Sequence, residues 1–195
     1  MMTQAAERAR AEMAFCEAVL AKDGLSVLSE TLRGAETIDA WAHYPPEDVF
    51  DPASNAQWYY HCHPAEEGSV EHGHFHCFLR PEGPTGPIHH LAAVGVDAMG
   101  RLLRIFTVNQ WVVGDEWAAA DTTIAALERF DVQMPRPNYL VNRWLTAVIV
   151  AHEAEIAELI RERDRVLDAH VSATGVPARE DRSLEVTSEL QIAGA

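Results

Sequence analysis

Residues 4–22 repeat apolar side chains at helical spacing, with Ala9, Met13, Cys16 and Leu20 on one stripe and Gly24 following as a stop. A second short helix is expected over 25–32, ended by Gly34. Pro45, Pro46 and the Asp51-Pro52 pair then predict an irregular connection. From residue 57 the period changes to two. Segments 57–63 and 70–79 read as strands separated by the turn-rich PAEEGS, and the loop PEGPTGP (81–87) follows. Two more strands, 88–96 and 101–108, are joined by Asp97-Ala98-Met99-Gly100, a hairpin turn with glycine at its end.

The helical period returns near Asp121, a candidate cap for a helix reaching about Phe130, and Met134-Pro-Arg-Pro137 breaks it. One long helix is expected from about Asn138 to about His170. Leu145, Ile149, His152, Ile156, Leu159 and Arg163 form its stripe, widened by Trp144, Val148 and Ala151. From Ser172 the residues are polar and small, which predicts a disordered tail over 172–195. The pattern therefore predicts an α+β fold, a four-stranded antiparallel meander sheet flanked by N-terminal and C-terminal helices, in one domain over residues 1–171.

Composition narrows the classes. The chain has 195 residues, 48% of them hydrophobic, enough for one core. Its formal net charge of −15 repels phosphate backbones and anionic lipid, which argues against nucleic-acid and membrane partners. The opening MMTQAAERARAEMAF lacks the apolar segment of a secretory signal, and the apolar stretch Leu145 to Ala151 is too short to span a bilayer. A cytoplasmic location is expected. Cys16, Cys62 and Cys77 lack CxxC spacing, which speaks against a disulfide framework or a zinc ribbon and for reduced, buried thiols.

The chemistry concentrates in residues 57–80. Of the ten histidines, His61, His63, His72, His74 and His76 fall between positions 61 and 76. Strand residues two apart share a face, so His61 and His63 lie with Tyr59, and His72, His74 and His76 with Phe78. The alternate residues Trp58, Tyr60, Cys62, Phe75, Cys77 and Leu79 form the packed face. If the hairpin register joins the two histidine sets, a histidine-rich β-hairpin binds a transition metal ion: iron, zinc or copper. His72 and His76 are about 13 Å apart along one strand, too far for easy shared ligation, whereas an HxH pair chelates readily. The expected ligands are His61, His63, His72 and His74, with His76 nearly equivalent. Glu71 points to the opposite face unless the strand bulges, which Gly73 would allow. One of His89 and His90 must face the cluster. His152 reads as a buried core histidine, and His43 and His170 carry no signal.

Three residues are candidate catalytic groups lining a pocket: Tyr59, Asn109 and Arg143, the last suited to a carboxylate substrate. GxGxxG, Walker A, GxSxG and HExxH motifs are absent. The HxH spacing matches that of cupins and carbonic anhydrases as ligand geometry only, because four strands are too few for a cupin barrel. The segments EHGHFHCFLRP (71–81), FTVNQWVVGDEW (106–117) and RPNYLVNRW (136–144) resemble an uncharacterised bacterial family of unknown function. That resemblance implies a shared site and names no reaction. The function expected is a metal-dependent enzyme acting on a small molecule by hydrolytic or oxygen-dependent chemistry. The alternatives are a non-catalytic metal carrier, buffer or sensor, and a small-molecule-binding module without metal. An exposed sheet face would suit a homodimer.

Overall fold

The computed structural model describes residues 3–64 and 68–192. Six helices and six strands alternate in blocks. Helices α1 (Gln4–Ala21) and α2 (Val27–Thr31) come first, and strands β1 (Tyr44–Phe50), β2 (Ala56–His61), β3 (Glu71–Leu79), β4 (His89–Asp97) and β5 (Leu102–Val108) follow. Helices α3 (Gln110–Val113), α4 (Ala120–Leu127), α5 (Tyr139–Ala151) and α6 (Glu153–Ala169) precede the last strand, β6 (Val186–Gln191). Side chains close the helix starts by accepting orphan N–H groups. Thr3 accepts from Ala6, Ser26 forms a capping box with Ser29, and Asn138 accepts from Leu140. Asp121, expected as a cap, lies inside the first turn of α4; the backbone N–H of Ala120 is met instead by Asp164 of α6 at 2.7 Å.

The sheet is an antiparallel meander in the order β1-β2-β3-β4-β5-β6, so the expected four strands are six. Both added strands lie at edges. β1 contains Pro45 and Pro46, which an edge tolerates because one side of it needs no ladder donors. β6 comes from the segment expected to be disordered. It is polar, and hydroxyl contacts hold it: Thr107 Oγ1 to Thr187 Oγ1 at 2.7 Å, and Ser188 Oγ to the Leu159 carbonyl at 2.8 Å. The expected long helix is two, α5 and α6, parted at His152, whose backbone leaves the helical region at φ −118°, ψ 19°. Of the PAEEGS turn, residues 65–67 lie outside the described residues.

One sheet face carries the main core. Trp58, Phe75, Cys77, Leu79, Val94 and Ile105 pack there with Trp144, Leu145 and Val148 of α5 and Cys16 and Leu20 of α1. Polar tips find partners inside it: Trp58 Nε1 donates to Asn142 at 2.8 Å and Trp144 Nε1 to Glu17 at 2.7 Å. The other face presents Tyr59, His61, His74, His76, Phe78 and His90. Among the described residues no helix is long and apolar enough to cross a membrane.

Candidate metal centre

The β2–β3 register sets the site. His61 stands opposite His74 and Tyr59 opposite His76, so both histidine sets share a face. His61, His74 and His76 are buried, and one ring nitrogen from each lies within 4.8 Å of the others. The Nε2 atoms of His61 and His74 are 2.8 Å apart. The ring of His63 comes within 5.2 Å of His61 and 5.1 Å of His74, centroid to centroid, and packs on Trp41 at 4.2 Å.

His72 does not join them. The ladder shifts between Glu71 and Gly73, and this bulge inverts which side chain meets which face. His72 turns to the core side, where its Nδ1 meets Tyr60 Oη at 2.6 Å. Glu71 takes the site side instead, with Oε1 accepting from His74 Nδ1 at 2.8 Å and Oε2 from Arg104 Nε at 2.6 Å. Glycines permit both moves. A Cβ at position 73 would collide with Tyr60 Oη and the His61 carbonyl, and one at position 95 would lie 2.7 Å from Glu71 Oε2.

The Glu71 carboxylate sets the tautomer of His74. His74 gives its Nδ1–H to the Glu71 carboxylate, which leaves the Nε2 lone pair facing His61. His76 uses Nδ1 toward His90 Nε2 at 3.0 Å, and its Nε2 is buried without a hydrogen-bond partner among the described residues. Of the two candidates at the start of β4, His90 faces the cluster, and His89 bonds the Glu116 carbonyl. Burial, reinforced by the neighbouring imidazoles His74 and His63, pushes His61 down to about 3. Burial likewise lowers His76 well below the ordinary histidine range, and burial with Arg163 lowers His90 to about 3. These imidazoles are neutral near pH 7, the form that ligates metals. Burial opposes ionisation of Glu71, but its bonds from His74 and Arg104 win and hold its carboxyl below the usual range.

A tetrahedral ion with Zn–N bonds of about 2.0–2.1 Å separates its ligand nitrogens by roughly 3.3 Å. His61 and His74 would need to part by roughly half an ångström from 2.8 Å to hold one, a side-chain adjustment. The donor set is three imidazoles, which suits zinc, iron, copper or nickel. Cys77 is fully buried on the opposite face, and all three cysteines are free thiols.

The three pocket candidates divide. Tyr59 lies on the site face, its ring 5.2 Å from that of His76, and burial raises its hydroxyl far above the usual range. Asn109 is fully buried elsewhere: it caps α3 and donates to the carbonyls of Ala178 and Leu184 at 2.8 and 3.0 Å. Arg143 sits on α5, the helix packed on the opposite sheet face, and pairs with Glu12 at 2.9 Å and with Asp131. Their bonds go to these partners rather than to the histidine cluster, and nothing in local composition distinguishes such residues from pocket groups. A cavity of about 540 Å³ opens beside the cluster, lined by Ile38, His63, Glu71, His74 and Arg104 among others.

The chain belongs to the family defined by the domain of unknown function DUF6969, whose model matches residues 7–192. No curated protein and no solved structure matches it.

Proposed function

We propose that this protein is a metal-dependent enzyme whose transition metal ion is held by His61, His74 and His76, with His63 beside them, and which acts on a small molecule. The observation that carries this reading is His76 Nε2, a buried nitrogen without a hydrogen-bond partner among the described residues, on an imidazole clustered with those of His61 and His74. Buried polar atoms are almost always satisfied, and an orphan in such a cluster calls for an ion. The bond from His74 to Glu71 supports it, because a ligating histidine commonly gives its second N–H to a carboxylate. The cavity beside His74 favours turnover over storage, since a carrier needs no substrate space. A three-nitrogen set leaves a position for water or substrate, and a bound ion would supply Lewis acidity or an activated water there.

The carrier reading rests on His63. If its imidazole closes the shell, four nitrogens surround the ion and no position remains open. Elemental analysis of tag-free protein, beside a His61→Ala/His74→Ala variant, tests both. About one equivalent of a single metal, lost in the variant, is expected. Absence of metal after anaerobic reconstitution with iron, zinc and copper refutes the site. Bound metal with an exchangeable water selects the enzyme, and a saturated shell selects the carrier.

A further inference from the structure

The first strand is interrupted where it passes the histidine face. Tyr44 pairs with Tyr60 and Val49 with Trp58, so Pro45 to Asp48 all stand opposite Tyr59. The surplus chain puts Asp48 in the left-handed region at φ 54°, and Trp41, whose ring meets those of His61 and His63, is there too at φ 70°. Non-glycine residues adopt this conformation rarely, and where they do they cluster at functional sites.

What the extruded segment gains is a held imidazole. His43 Nδ1 lies 2.8 Å from Asp48 Oδ1. The other carboxylate oxygen accepts from Gln57 Nε2 at 2.9 Å, and Gln57 in turn accepts from Arg80 at 2.7 Å. The carboxylate is thus clamped at both oxygens, unlike that of a loose surface pair. The His43 ring lies flat on Tyr59, 3.7 Å between centroids and 7° between planes, with its centroid 6.5 Å from that of His61. With Nδ1–H given to Asp48, Nε2 keeps its lone pair. The His43 side chain is 41% exposed, so water reaches it, while the three ligand candidates are buried against one another.

We propose that His43, oriented by Asp48, is the general base for hydrolysis at this site, for which an activated carboxylic ester is a simple probe substrate. This rests on the metal-enzyme reading. An O–H bond of water breaks, its proton goes to His43 Nε2, and the oxygen bonds the acyl carbon. The proton then passes to the departing alcohol as the acyl–oxygen bond breaks, which regenerates neutral His43. Asp48 is a positioning residue that fixes the tautomer.

The test uses the full chain, as purified and loaded with zinc, with 4-nitrophenyl acetate as the probe. His43→Ala is expected to keep its zinc and to lower turnover about 10²–10⁴-fold, with free imidazole restoring much of it. Asp48→Asn is expected to lower turnover less, and ¹⁵N spectra of the labelled histidines should show that His43 loses its fixed Nδ1–H tautomer. Turnover by His43→Ala equal to wild type, failure of imidazole to rescue it, or absence of turnover in the wild type overturns the proposal. Loss of zinc from His43→Ala overturns it in favour of a ligand role. If the wild type takes up no metal yet turns over with a His43-dependent, imidazole-rescued rate, the metal reading fails and the base survives.

Discussion

Glu71 Oε1 accepts a hydrogen bond from His74 Nδ1 at 2.8 Å, across a strand bulge that alone puts the carboxylate on the histidine face. The contact fixes the imidazole's orientation and aims its Nε2 at His61. Removing such an outer partner of a metal-ligating histidine typically weakens metal binding 10- to 100-fold. Glu71→Gln should therefore weaken zinc binding by about 10- to 100-fold, read by competition with a chelator of known affinity. An unchanged affinity would mean that the carboxylate does not serve the metal.

The same bulge depends on Gly73. Any Cβ there meets Tyr60 Oη and the His61 carbonyl, and the latter is backbone that cannot swing aside. Gly73→Ala should destabilise the fold by about 1–3 kcal/mol, the usual range for overpacking a tight interior. Urea unfolding measures it, and wild-type stability would show that the strand straightens without cost.

Much of the site was legible from alternation alone. A period of two puts His61, His74 and His76 on one face once the hairpin closes, and it does. Alternation fails at His72, because a bulge adds one residue to a strand and reverses every side chain before it. Gly73 marked the position, but glycine in a strand signals a bulge without saying which neighbour gains the site side. Asn109 and Arg143 bond distant backbone and far carboxylates, and in one dimension such side chains look like pocket groups. His43 carried no pattern at all, since four extruded residues of β1 bring it to Tyr59. β6 escaped because it is held through hydroxyls rather than apolar residues. The helices were clearer, except that the apolar stripe continues unbroken through the His152 break.

Metal should stabilise the native state by mass action, because the unfolded chain does not preassemble the three imidazoles. At a free zinc concentration of 100 times Kd the gain is about 2.7 kcal/mol. For a chain of 195 residues that corresponds to a rise of roughly 5–10 °C in Tm. His76→Ala removes one of the three candidate ligands and should abolish the rise. Scanning calorimetry of both proteins with and without zinc decides this. An equal rise in both would place the stabilising ion elsewhere.

The turn after β4, whose Asp97 stands opposite Glu71 in the β3–β4 ladder, supplies a test of electrostatics. Asp97 accepts from the backbone N–H groups of Met99 and Arg101 at 2.8 and 2.9 Å and from Arg101 Nε at 2.7 Å. Burial works against its ionisation, but these donors prevail and its folded-state carboxyl lies below the ordinary aspartate range. A depressed folded value means that the ionised group stabilises the fold above the unfolded pKa of about 3.9 and that this contribution drains away as pH falls through the folded value. Asp97→Asn removes the charge and keeps the shape. The urea midpoint should therefore be lower for the variant than for the wild type at pH 7, and the gap should narrow below about pH 4. A gap that stays constant from pH 7 to pH 3 would mean that Asp97 acts through geometry alone, since only its charge responds to that change of pH.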